Sequence, residues 1–177
     1  MNNLHHIAFI MDGNGRWGKK RNKSRNYGHL KGVEVIRKII RGSLKLQIPI
    51  VSFYVFSSEN WKRPKREINF LFNLIESYFS KEIQNVINQG IKIRILGEKK
   101  TLPKKINKSL KNVELLTKKN KKIIVNLAIN YGSKNEILNS FKKIKKKVNI
   151  KSFEKNLYTQ NMPDPDILIR TGGQKRL

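Results

Sequence analysis

Asp12-Gly13-Asn14-Gly15-Arg16-Trp17 places a carboxylate, two glycines and a guanidinium directly after an apolar run. Glycines let backbone amides approach an anion closely, and Arg16 adds a planar cationic fork suited to phosphate. In a basic phosphate site, a lone carboxylate such as Asp12 suits Mg²⁺ held against that phosphate. The same letters also describe a plain turn, because Asp-Gly and Asn-Gly both favour turns.

Three further clusters share this character. Arg25-Asn26-Tyr27-Gly28-His29 leads into a helical pattern, and a helix N-terminus with Arg and His nearby suits an anion. Phe56-Ser57-Ser58-Glu59-Asn60-Trp61-Lys62-Arg63-Pro64 gathers hydroxyls, an acid, an amide and a guanidinium, although Ser58 or Asn60 also reads as a cap on a short turn. Arg170-Thr171-Gly172-Gly173, with Arg176, closes the series. Chance would scatter such clusters over both ends of a sheet, whereas each of these follows a strand or opens a helix.

Five apolar runs ending in loop-type residues read as buried parallel strands: 7–11, 50–56, 91–96, 123–129 and 167–170. Helical patterns fall between them, at 30–46 with a stripe at 33, 36, 40 and 44, and at 68–87, 102–116 and 133–148. Alternation of this kind predicts an α/β fold: a mostly parallel sheet flanked by helices, in one domain spanning 1–177. In such folds ligands bind beyond the carboxyl ends of the strands, where the clusters lie. Ile68, Phe70, Leu71, Phe72, Leu74, Ile75, Tyr78 and Phe79 make one helix apolar nearly all round, as a wall for a lipid or as plain core.

Composition sets the outer limits. The chain carries 39 Lys+Arg against 12 Asp+Glu, a net charge of +27, which attracts polyanions of any kind. Most of the excess is lysine, in company with Asn and Ile, and these three share A/T-rich codons; lysine runs at 118–122 and 142–147 read as solvated faces. No recognition motif or regular interleaving of aromatic and basic residues supports a specific nucleic-acid partner. The absence of cysteine excludes disulfides and a Cys nucleophile. There is no P-loop and no G-x-S-x-G elbow. No run approaches the roughly 18 apolar residues of a membrane span, so a cytoplasmic protein is expected, touching the inner membrane face peripherally at most.

Taken in order, these strings resemble the cis-prenyltransferase (undecaprenyl diphosphate synthase) family. The matching text is H-I-A-F-I-M-D-G-N-G-R-W at 6–17, R-x-x-G-H at 25–29, F-S-S-E-N-W-x-R-P at 56–64, N-Y-G at 130–132 and D-x-L-I-R-T-G-G at 166–173. The resemblance implies a parallel sheet with a hydrophobic tunnel, Mg²⁺ as cofactor, and two substrates, isopentenyl diphosphate and an allylic diphosphate such as farnesyl diphosphate. It implies that Asp12 coordinates Mg²⁺, while Gly13, Asn14, Gly15, Arg16, Arg25 and His29 hold the allylic diphosphate, with Trp17 beside the prenyl chain. Ser57, Ser58, Glu59, Trp61 and Arg63 would shape the reacting centre, and Arg170 and Arg176 would bind isopentenyl diphosphate. Asn60 is the family's assigned proton acceptor; a neutral amide is a poor base, so the departing diphosphate is the alternative.

Family members continue beyond the last arginine into a serine, further secondary structure and an acid that completes the Mg²⁺ site, often across a homodimer. The sequence ends at Leu177, and Gln174 stands where an acid is common. The expectation is therefore a C-terminally truncated member, with a non-catalytic relative that binds prenyl diphosphates or pairs with a complete subunit as the alternative.

Overall fold

In a computed structural model that describes residues 3–145 and 147–174, five strands form one all-parallel sheet. They are β1 (His6–Ile10), β2 (Ile50–Ser57), β3 (Ile91–Leu96), β4 (Ile123–Tyr131) and β5 (Ile167–Arg170), in the order β3-β4-β2-β1-β5. The helices are α1 (Asn14–Lys19), α2 (Arg25–Lys45), α3 (Lys65–Asn88), α4 (Lys104–Thr117), α5 (Ser133–Lys143) and α6 (Ile150–Glu154). The expected strands and long helices are all present. The pattern over 133–148 ends earlier, at Lys143. The Asp12–Trp17 turn contains a helix, α1, because Gly13 adopts φ +86° and redirects the chain into it.

Strand period 2 explains what lies on each side of the sheet. Val51, Phe53, Val125, Leu127 and Ile129 are buried in one cluster with Ile40 of α2 and Ile68, Leu71, Phe72, Phe79 and Val86 of α3. The register sets Ala8, Ser52 and Asn126 side by side on the opposite side. There His6 Nδ1–H donates to the Pro163 carbonyl (2.8 Å), Ser52 Oγ–H donates to His6 Nε2 (2.7 Å), and Asn126 Nδ2–H donates to Ser52 Oγ (2.9 Å). This chain of donors ties the segment before β5 across the sheet. Asp166 adds to it by accepting from the backbone amides of His5 and His6 at 2.6 and 2.8 Å. Parallel strands bring every strand's carboxyl end to one edge, so the turns after β1, β2 and β5 must meet there. The lysines of 118–122, and Lys142, Lys143, Lys145 and Lys147, are exposed as expected.

Candidate active site

The turns after β1 and β5 interlock. Gly13 and Gly172 both adopt left-handed φ, and a Cβ on Gly13 would lie 2.8 Å from Gly172 Cα. Thr171 Oγ1–H donates to the Asp12 carbonyl at 2.7 Å, locking the two turns together. Asp12 is consequently held between two guanidiniums: Arg16 Nη2 lies 3.1 Å from Oδ1 and Arg170 Nη2 lies 3.0 Å from Oδ2. Burial alone would raise the Asp12 pKa. Hydrogen bonds from Arg170, Arg16 and the Gly13 backbone outweigh burial and hold it below the usual carboxylate range.

The N-terminal turn of α2 fits directly against α1. Gly28 packs on the Asn14 backbone so closely that any Cβ would overlap the Asn14 carbonyl oxygen. Ser24 caps α2 by accepting from the Tyr27 amide at 3.1 Å. Arg25 and His29 then project from successive turns of the helix onto one residue absent from the sequence reading, Glu67.

Glu67, in the first turn of α3, is only 8 % exposed. Its carboxylate accepts from Arg25 Nε (3.0 Å) and Nη2 (3.1 Å), from His29 Nε2 (3.1 Å) and from Arg63 Nη1 (3.3 Å). Burial raises its pKa, but Arg25 and His29 hold it below normal overall. His29 is also shifted downward, for a different reason. Burial lowers its pKa, and attraction to Glu67 only partly offsets this, so neutral His29 donates through Nε2. No local signal marks this role, since Glu67 sits in a Lys-Arg-Glu run that resembles a solvated helix start.

Towards the end of β2 the pairing with β4 slips between Tyr54 and Ser57, and a short 3₁₀ turn follows over Ser58–Lys62. Asn60 Oδ1 accepts from the Ser57 amide at 3.1 Å while Ser57 reciprocates through its side chain, a capping box. Trp61 packs against Phe56 and Phe72 and donates Nε1–H to Asn130 Oδ1 at 2.8 Å. Asn130, the first letter of N-Y-G, takes φ +53° and also donates to the Glu98 carbonyl and Thr101 Oγ1. The motif thus serves as a clamp on Trp61.

These turns surround one cleft with a cavity volume of about 290 Å³. Asp12, Gly13, Asn14, Gly15, Arg16, Arg25, His29, Ser57, Glu59, Asn60, Arg63 and Arg170 all line it. Ser58, Trp17 and Trp61 do not. Ser58 packs against Gly132, and Trp17 stacks on Tyr27 with the Arg21 guanidinium 4.1 Å from its ring centroid. Arg176 lies outside the described residues. Among the described residues no group of three metal-ligating side chains exists, so no protein-only cage is formed. Of the two carboxylates lining this arginine-rich cleft, Asp12 and Glu59, Asp12 beside the glycine turns fits a Mg²⁺ ion that completes its shell with water and ligand phosphates.

Below the polar cleft an apolar channel runs between α2 and α3 over the sheet. Val33, Ile36, Val55 and Ile75 line both spaces. Of the eight expected wall residues, Ile75, Tyr78 and Phe79 line the channel and Leu71 and Leu74 the cleft, while Ile68 and Phe72 belong to the core and half-buried Phe70 lines neither space.

Residues 10–177 match the family model described as "Putative undecaprenyl diphosphate synthase". An isoprenyl transferase of Prochlorococcus marinus is 40 % identical over 97 % of this chain and 67 % of its own length; one from Thermotoga maritima is 41 % identical over 97 % and 77 %. Among solved structures, lavandulyl diphosphate synthase from Lavandula x intermedia, in complex with dimethylallyl diphosphate, superposes with TM-score 0.92. It is 28 % identical, and the match covers 98 % of this chain and 79 % of that one. A probable undecaprenyl diphosphate synthase from Campylobacter jejuni gives TM-score 0.83 at 32 % identity, covering 100 % and 79 %. Interlocked glycine turns, an arginine-ringed carboxylate and a channel beneath them thus agree with sequence and shape, and the chain belongs to the isoprenyl transferase (undecaprenyl diphosphate synthase) family.

Proposed function

We propose that this chain condenses isopentenyl diphosphate in cis onto an allylic diphosphate, farnesyl diphosphate, and repeats the step to build a long polyprenyl diphosphate. The observation that carries this reading is the junction of two unlike spaces, a cleft lined by Asp12, Arg16, Arg25, Arg63 and Arg170 opening into an apolar channel. An ionic head with a long hydrocarbon tail is the ligand class such a junction suits.

In each cycle the allylic C–O bond breaks, with its electron pair leaving on diphosphate. The double bond of isopentenyl diphosphate supplies the pair for the new C–C bond. One proton is then lost from the isopentenyl unit, to the departed diphosphate or towards Asn60. Arg16, Arg25 and the Asn14 and Gly15 backbone hold the allylic head, Arg170 and Arg176 the isopentenyl head. Mg²⁺ bound by Asp12 and the allylic diphosphate would neutralise charge developing on the leaving group. Arg16, the more exposed partner at 48 %, is the cation free to leave Asp12 for the incoming phosphate. Holding the two substrates in line removes the entropic part of the barrier. A lipid product accords with work at the inner membrane face, and no helix among the described residues is long and apolar enough to cross a membrane. A homodimer is part of the same proposal.

The test supplies farnesyl diphosphate, radiolabelled isopentenyl diphosphate and Mg²⁺ and measures lipid-extractable label. Asp12→Ala should lower turnover by roughly 10²–10³ or more. It should leave farnesyl diphosphate binding intact, because Arg16 and Arg170 lose their competing anion. No elongation by the unaltered protein, or full activity in Asp12→Ala, would refute the assignment.

A further inference from the structure

The channel is fastened at two places along its length. At the head end Glu67 of α3 holds Arg25 and His29 of α2. At the tail end Glu82 of α3 holds Arg37 of α2 through Arg37 Nη2–Oε1 at 2.9 Å, with the guanidinium 6.0 Å from the Tyr78 ring centroid. Between the two fastenings the lining from α2 and α3 is Val33, Ile36, Ile75, Tyr78 and Phe79; at and beyond the second it becomes mixed, with Arg41, Asn85 and Gln89 beside Ile40 and Val86. The channel's free volume is about 100 Å³, roughly a third of the cleft's 290 Å³. A long chain cannot be accommodated without α2 and α3 separating.

We infer that the Arg37–Glu82 pair is a length-sensing clasp: it leaves short prenyl chains undisturbed and must open when a longer one passes. The inference rests on the proposed prenyl diphosphate chemistry. Twelve residues separate Arg25 from Arg37 and fifteen separate Glu67 from Glu82. At 1.5 Å per residue the fastenings therefore stand about 18–22 Å apart. One isoprene unit adds four chain bonds of about 1.5 Å, an advance of about 5 Å when extended. About four units fill the interval. A farnesyl tail, with three, stops short of the clasp; a tail of five or more reaches it. Opening a pair whose side chains are 37 % and 21 % exposed sets a modest cost on longer chains, about three- to fivefold in affinity.

The test uses unreactive thiodiphosphate analogues of three and five isoprene units, titrated by calorimetry into the intact chain and its variants. Arg37→Gln and Glu82→Gln should leave three-unit affinity unchanged and tighten the five-unit analogue by about three- to fivefold. The charge-reversed double variant, Arg37→Glu with Glu82→Arg, should restore the original ratio, which mere loss of bulk would not do. With labelled substrates, the single variants should shift product towards longer chains. A five-to-three affinity ratio that is the same in all four proteins overturns the clasp while leaving the prenyl diphosphate reading standing. Failure of the unaltered protein to bind either analogue overturns that reading and the clasp with it. Unfolding curves distinguish a weakened fold from a changed ratio, since global damage lowers both affinities together.

Discussion

Replacing Glu67 by Gln keeps the shape of the side chain and removes the charge on which Arg25, His29 and Arg63 converge. Removing one partner of a buried ion pair typically costs about 3–5 kcal/mol, because the remaining charge stays behind uncompensated. Glu67 is itself buried, but the Arg25 and Arg63 side chains are 42 % and 33 % exposed, so water recovers part of the loss. The expected destabilisation is about 2–3 kcal/mol. For a chain of this length that lowers Tm by about 5–10 °C, measured by circular dichroism or calorimetry. The variant also leaves an uncompensated positive cluster, so millimolar inorganic pyrophosphate should recover part of the lost Tm and stabilise the variant more than the parent. Glu34→Gln is the control. Its partner Lys31 is exposed, and its effect should stay within about 0.5 kcal/mol. A Glu67→Gln shift below 1 °C, or one untouched by pyrophosphate, would refute the hub.

Two further outcomes follow from local geometry. Gly28→Ala sets a methyl against the Asn14 carbonyl oxygen, backbone against helix, and should cost about 3 kcal/mol or more. Gly42→Ala in the same helix meets nothing within 4 Å and should stabilise by up to about 1 kcal/mol, so paired unfolding curves separate packing from propensity. Stability should also fall with acidification in two stages. His29 is held below its ordinary 6.5, so the unfolded chain gains that proton first, and stability declines from pH 6.5 down to the folded value. Glu67 and Asp12 are held below 4.5 and 3.8, and their contribution is lost below those values as each carboxylate protonates in the folded state. His29→Gln should flatten the first stage alone in urea titrations taken across pH; an unchanged profile would refute the burial argument for this residue.

The strands were legible because parallel strands are continuous apolar runs, and Ile91–Leu96 and Ile167–Arg170 emerge with the expected bounds. The burial expected of 167–170 does not hold, because β5 is an edge strand paired on one side alone and its apolar side chains are exposed. The cleft was legible because parallel topology sends strand ends to one edge, so four turns scattered over 160 residues had to converge. What escaped was whatever depends on partners distant in sequence. Glu67 and Glu82 were not singled out, because their partners Arg25, His29 and Arg37 reach them only once α2 lies alongside α3. Helix α1 escaped because its glycines point locally to a turn, whereas the left-handed Gly13 and the packing of Asn14 on Gly28 accompany the helical form. Trp17, Ser58 and Trp61 show the converse. Their motif strings suggested contact with a ligand, yet each side chain is engaged with protein neighbours.

Strand β5 has one more consequence. It lies at the margin of the sheet, yet Ile167, Leu168 and Ile169 are each about two-fifths exposed, with no charge or proline among them to discourage a neighbour. A surplus of 27 positive charges keeps copies of the molecule apart by mutual repulsion, and dissolved salt shortens the range of that repulsion. Added salt should therefore work against dispersal: clear in dilute salt, solutions should become increasingly prone to cluster along this greasy border as ionic strength rises.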